Sequence, residues 1–358
     1  VLSFRIADLD PTEKIQSEIN NPQSAISNRN MELRTTFSIE PSKDKITYND
    51  PVLFIGSCFA SSIGSQLEMG HMPVLINPAG AVFNPVSVCN TLDTITDGKE
   101  FLPEDLHFYD GTWLSFYHYT DFSSEDPSIV LEKINRRSKD ALGFLKHARF
   151  LFVTFGTARV YKYKASDLIV SNCNKIPADQ FESKLLTVNE IVGLWIEQLN
   201  KLHLLFPQLE VVFTISPVRH WKDGAYGNQV SKSVLFVAVD ELLKHKTAPH
   251  YFPAYELVMD DLRDYRFYND DMLHPSVSAV NYIWEAFTGC YFNNITINTW
   301  REVVKITKAL NHRFNTESDL KKKYFAERIL KQISDIKAKV PTIDLSREED
   351  HFLKMRKM

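Results

Sequence analysis

Residues 52–67 read VLFIGSCFASSIGSQL. Positions 52–55 form an unbroken apolar run, the length and character of a strand buried on both faces. The run halts at Gly56, and two nucleophilic side chains follow, Ser57 and Cys58. Positions 59–69 then carry the apolar spacing of an amphipathic helix. A nucleophile on a tight strand-to-helix turn stands at the exposed end of a sheet, where the helix N-terminus stabilises developing negative charge. Far downstream, residues 271–276 read DMLHPS, so Asp271 and His274 lie one helical turn apart, ahead of a further helical pattern. The chain order nucleophile, Asp, His is that of hydrolases built on an open α/β sheet.

Working outward, apolar strands at 52–55, 74–76, 150–155 and 211–215 alternate with helical patterns near 59–69, 85–93, 128–147, 188–205, 230–246 and 276–288. That alternation predicts a parallel sheet covered by helices on both faces. Such sheets bind ligands beyond the carboxyl ends of their strands. Gly56, Gly80, Gly156 and Pro217 fall at or just after those ends, which points to one site assembled from distant segments. Residues 94–127 interrupt the alternation and are rich in aromatics (Phe108, Tyr109, Trp113, Phe116, Tyr117, Tyr119), with His107 and His118 among them. They read as a lid or specificity loop. Three regions are expected: a polar, poorly ordered lead at 1–30, an α/β domain at 31–295, and a charged helical C-terminal extension at 296–358. The chain opens on Val1, and Met31 reads as the natural start of the domain.

Composition narrows the function. The net charge of −4 makes no electrostatic case for nucleic acid. The basic residues of 301–338 are interleaved with acidic ones, the pattern of a solvated helix face. No apolar run reaches the ~20 residues of a membrane span, and no basic-then-apolar leader opens the chain. The four cysteines, 58, 89, 173 and 290, are far apart and form no CxxC, so reduced thiols and a cytoplasmic location are expected. No HExxH, GxxxxGK[ST] or GxGxxG occurs, so neither metal nor nucleotide cofactor is expected.

The string Gly-Ser-Cys-Phe-Ala at 56–60 resembles the name-giving motif of the GSCFA family, itself similar to the SGNH/GDSL hydrolase superfamily. NPAGAVFNP (77–85), FGTARVY (155–161), SNCNK (171–175), SPVRH (216–220) and YFPAYELVMDDLRDYRFY (251–268) extend the resemblance over roughly residues 31–292. It implies an SGNH-like, flavodoxin-like three-layer α/β/α fold with a parallel central sheet. In the GDSL pattern the serine stands two places after the glycine, so the register puts Cys58 in the nucleophile's place and Ser57 in that of the aspartate. Ser57 stays open as the alternative nucleophile. A thiol also suits a helix N-terminus beside a histidine, which lowers its pKa. The resemblance makes His274 the general base and Asp271 its orienting carboxylate, with Asp270 the competitor one residue away. It implies oxyanion donors at the Cys58 N–H and at Gly80. The third donor, an Asn two places after the third-block glycine, is absent, because Gly156 is followed by Thr157 and Ala158. Thr157, Asn84 and Asn172 are the substitutes within reach of the reading. Arg219 and His220, after Pro217, read as binders of an anionic group or as pocket supports.

These readings converge on an ester hydrolase or acyltransferase using a Cys58–His274–Asp271 triad and a thioester intermediate. The many aromatics suit a sugar ring face or an apolar acyl chain, so a small-molecule or glycan ester is expected, an O-acylated carbohydrate among the candidates. The alternative is an SGNH-fold glycan- or ligand-binding protein without catalysis, which the missing third-block Asn favours. Substrate, acyl group, acceptor and oligomeric state are not encoded legibly.

Overall fold

Alternate side chains of the first strand face opposite ways, and both directions are apolar. In the structure, a computed structural model that describes residues 34–312, 314 and 319–357, this is β1 (Val52–Gly56). Val52 and Phe54 enter one core with Phe150, Phe152 and Val212, while Leu53 and Ile55 enter a second with Leu151, Val153, Phe155, Phe213 and Ile215. A strand buried on both faces cannot alternate polar and apolar residues, which is why its sequence is a continuous hydrophobic run. Each such side chain contributes about 2 kcal/mol of burial.

In chain order, α1 (Cys58–Met69), β2 (Val74–Ile76) and α2 (Pro85–Thr96) follow. Next come a hairpin of β3 (His107–Tyr109) and β4 (Thr112–Leu114), α3 (Pro127–Leu145) and β5 (Phe150–Phe155). An antiparallel trio β6 (Arg159–Tyr163), β7 (Ile169–Val170) and β8 (Phe181–Leu185) precedes α4 (Val188–Leu205), β9 (Glu210–Ile215), α5 (Gly224–Leu242) and β10 (His250–Tyr251). The chain closes with α6 (Val277–Tyr291), α7 (Asn294–Ala309), α8 (Asp319–Lys339) and α9 (Ser346–Arg356).

The main sheet has the order β10-β9-β5-β1-β2, with every pair parallel. Numbered by appearance within the sheet, this is 2-1-3-4-5, the flavodoxin-like doubly wound order. With helices packed on both faces, it is the three-layer α/β/α architecture expected of an SGNH-like chain. The order reverses between β1 and β5, and the crevice beyond their carboxyl ends is where such sheets place ligands. Cys58 follows β1 there and Gly156 follows β5. Gly56 makes the approach feasible. Its φ is +142°, and a Cβ at that position would lie 2.2 Å from the Thr154 carbonyl oxygen.

Several sequence readings are corrected. The fifth strand of the sheet was not anticipated, because β10 is only two residues long. The antiparallel trio was missed as well; its strands are short and interrupted by polar residues. Helix α5 begins at Gly224 rather than near 230, although Gly224, Gly227 and Asn228 read as breakers. Asn228 is held there by taking the His220 N–H on its side-chain oxygen at 2.9 Å. Much of the aromatic segment 94–127 is anchored in small cores of its own. Phe116 and Leu114 pack with Val170, Ile176 and Phe181 in one small core, and Phe101 packs with Val130 and Ile134 in another. His118 is buried with its Nδ1 2.9 Å from the Ser115 hydroxyl, and burial holds its pKa down to about 3.

Ser38–Met358 form one compact unit. Val303 and Ile306 of α7, Ala326, Ile329, Ile333 and Ile336 of α8, and Phe352 of α9 all join the core that Val52 and Phe54 enter. Trp300 Nε1 also donates to the Gln66 carbonyl at 2.7 Å. The lead at 1–30 lies outside the described residues. Among the described residues no helix is long and apolar enough to cross a membrane.

Candidate active site

Ser57 is the N-cap of α1: its backbone is extended, and its hydroxyl accepts the Phe59 N–H at 3.3 Å. The side chain is only 1% exposed. Capping therefore occupies Ser57, and the next residue projects from the first helical position. The Cys58 sulfur lies 3.5 Å from His274 Nε2, within hydrogen-bond reach of a thiol. The other ring nitrogen, Nδ1, is 2.6 Å from Asp271 Oδ2. Asp271, not Asp270, holds this position, and its Oδ1 also accepts the N–H groups of Leu273 and His274 at 2.9 Å each. Those backbone bonds, with the imidazole, hold the Asp271 carboxyl down to about 2. It is ionised at any physiological pH and fixes Nδ1 as the protonated nitrogen, leaving Nε2 as the acceptor facing sulfur.

The thiol departs from expectation. Burial is the largest influence and pushes the Cys58 pKa up; the N–H groups of Cys58 and Phe59 and the charge of Lys232 pull it down, and Asp271 pushes it up again. The helix N-terminus acts in the anticipated sense but is outweighed by desolvation. The resting sulfur is therefore a thiol that needs a base, not a preformed thiolate.

Lys232 was not recognised in the sequence. It is 1% exposed, and its Nζ donates to the carbonyls of Gly156, after β5, and Ser216, after β9, at 2.6 Å each. Burial, with Arg219 adding to it, pulls the ammonium down to about 7, while Cys58 works in the opposite sense. The signal was present: the buried stripe of α5 runs Asn228, Ser231, Lys232, Leu235, Ala238, Val239 and Leu242 at three- and four-residue steps, with a lysine where an apolar residue is expected.

The remaining expected residues separate into two groups. Gly80 spends its N–H on the Asn77 carbonyl at 2.8 Å, so the anticipated oxyanion donor is committed to a turn. Asn84 caps α2, accepting the Ser87 N–H and donating to the Ser87 hydroxyl. The Thr157 hydroxyl is buried against Ser231 Oγ at 2.9 Å and accepts the Arg159 N–H. Asn172 accepts the Asn174 N–H in the loop after β7. For Gly80, Asn84 and Thr157 these bonds already engage the groups an oxyanion would need, whereas the bond at Asn172 engages only its side-chain oxygen. Arg219 and His220 instead lie beside the Asp271–His274 turn. The Arg219 N–H donates to the Leu273 carbonyl at 3.4 Å, tying its segment to the turn carrying Asp271 and His274. His220 packs edge-on to Phe83, and its buried Nε2 has no hydrogen-bond partner among the described residues. A Cβ on Gly156 would lie 2.8 Å from that nitrogen, so the imidazole packs into space that glycine leaves open. Burial, with Lys232 and His274 adding to it, holds His220 down to about 4, so it is neutral at pH 7.

Residues 51–287 match the GSCFA family. The chain belongs to that family. The GSCFA match spans β1 through most of α6 and includes the Cys58, Lys232, Asp271 and His274 positions. No curated protein matches the chain. Among solved structures, it is similar to a Streptococcus pneumonia protein named after platelet activating factor, at 14% identity and a TM-score of 0.35, covering 77% of this chain and 90% of that one. It is also similar to a carbohydrate esterase family 3 protein from Talaromyces cellulolyticus, at 8% identity and a TM-score of 0.31, covering 72% and 98% respectively.

The cap assignment makes a prediction. In this GSCFA chain Ser57→Ala removes the α1 cap and lowers stability by about 1 kcal/mol. Turnover of any ester substrate should fall by no more than a few-fold. Urea melts and steady-state rates check both; a dead but folded variant would return Ser57 to the nucleophile's role.

Proposed function

We propose that this GSCFA protein cleaves or transfers acyl esters through a thioester on Cys58. The observation carrying this reading is the chain of contacts from sulfur to imidazole to carboxylate, 3.5 Å and 2.6 Å long, at the switch point of the sheet. His274 Nε2 takes the thiol proton as sulfur attacks the ester carbonyl. The carbon–sulfur bond forms, and the carbonyl electron pair moves to oxygen. The tetrahedral oxyanion meets the positive end of α1 at the Cys58 N–H. The unpartnered His220 Nε2 is the side-chain donor available near Gly156, and as a neutral imidazole it can donate without competing for the proton. Collapse breaks the ester C–O bond, and the alcohol leaves with the proton from His274. Water, or a second hydroxyl, then gives its proton to His274 and attacks the thioester, releasing acid or new ester and restoring the thiol. Asp271 stabilises the imidazolium in both halves without itself being protonated.

A second reading is a binding protein without turnover. It is favoured by the commitment of the Gly80 N–H to Asn77 and of the Gly156 N–H to Phe83 at 2.7 Å, which leaves the oxyanion site thinly supplied. Acid quenching during reaction with p-nitrophenyl acetate, followed by intact mass and peptide mapping, separates the two. One acetyl group on the Cys58 peptide supports the thioester; an unmodified chain with no p-nitrophenol release supports binding alone.

A further inference from the structure

A cavity of about 740 Å³ opens beside the triad, lined by Arg219, Trp221, Tyr265, Tyr268 and Asp271 among others. The volume is that of a small-ligand site. Its charges are already matched, with one exception. Arg263 pairs with Asp260, Asp264 pairs with Arg266, and Asp271 is taken by His274. The guanidinium of Arg219 has no carboxylate or hydrogen-bond partner among the described residues; its carbon sits 5.8 Å from the centroid of the Trp221 ring. A half-buried arginine loses hydration without recovering it, and its planar donors match a carboxylate. Around it stand aromatic rings left to solvent: Trp221 is 52% exposed and Tyr265 79%. Ring faces of this kind cover the C–H face of a cyclic ligand while the cation holds its charge.

We propose that the cavity takes the carboxylate-bearing ring of an acylated sugar acid, with Arg219 binding the carboxylate and Trp221 and Tyr265 covering the ring. The substrate class rests on the ester chemistry proposed above, whereas the anion site is tested without it. The backbone hydrogen bond from the Arg219 N–H to the Leu273 carbonyl ties the Arg219 segment to the turn that carries Asp271 and His274, and Asp271 itself lines the cavity.

Two measurements decide it. Calorimetric titration of the Cys58→Ala protein compares methyl glucuronide with methyl glucoside, which differ only in the carboxylate. The acid binds about 30-fold more tightly, as a charge-assisted bidentate contact would give. In Cys58→Ala/Arg219→Gln that preference falls to within about threefold of unity. Ester turnover is then compared on the acetylated forms of the two sugars, where the wild-type enzyme shows the same preference in kcat/KM. Equal binding of acid and neutral sugar, or a preference that survives Arg219→Gln, overturns the anion site. Preference for the acid without ester turnover by any substrate sinks the triad and leaves the site standing. Turnover without charge preference does the reverse. A charge preference confined to acetoxybenzoate, absent with glucuronide, overturns the sugar assignment.

Discussion

Cys58→Ala is expected to abolish acyl-ester turnover, lowering kcat/KM by about 10⁴-fold or more. The sulfur lies 3.5 Å from the imidazole Nε2, whereas the Ser57 hydroxyl is engaged in capping α1. His274→Ala is expected to cost nearly as much, because burial raises the thiol's pKa and disfavours the thiolate. The double variant should be no slower than either single one, since base and nucleophile act as one unit. Steady-state kinetics on the three proteins, with thermal melts to show that each is folded, make the measurement. Retention of activity in Cys58→Ala would remove the thioester; additive losses in the double variant would show that sulfur and imidazole act separately.

Lys232→Met should change how stability depends on pH. The folded-state pKa of Lys232 is pulled from 10.5 to about 7 by burial. Below pH 7 both folded and unfolded chains hold the proton, and the cost of burying the cation is constant. Between about 7 and 10.5 the unfolded chain holds a proton that the folded chain has released, so the unfolding free energy rises with pH. Above that window the cost is gone. Integrated over the shift, the gain is on the order of 5 kcal/mol. The methionine variant lacks it. Denaturant melts at a series of pH values should show the wild-type curve climbing relative to the variant through this window, the other titrating groups cancelling in the difference. Parallel curves would mean that Lys232 stays charged, held by the carbonyls of Gly156 and Ser216.

Much of the layout was legible because it depends on local periodicity. The run at 52–55, the turn at Gly56 and the helix after it appear where the residues place them, and strand–helix alternation predicted the parallel sheet but not the strand order that puts its switch point between β1 and β5. The Asp271–His274 pair was legible for the same reason: a three-residue spacing is short enough for local geometry to bring carboxylate and ring together. The oxyanion donors were not. Whether the Gly80 N–H is free depends on where the Asn77 carbonyl points, and whether Thr157 is available depends on Ser231, a residue 74 positions away.

Sequence alone determined which residues could be strand, turn, nucleophile and base, since apolar pattern, glycine and residue chemistry are properties of neighbours along the chain. Tertiary structure decided the rest. It buried the thiol deeply enough to outweigh the helix N-terminus, and it brought Lys232 beneath the crevice from a helix distant in sequence. Among the described residues it also left Arg219 without a counter-ion beside the His274 turn. Each outcome depends on desolvation and on long-range partners, which come into being only when the sheet closes and its two cores fill.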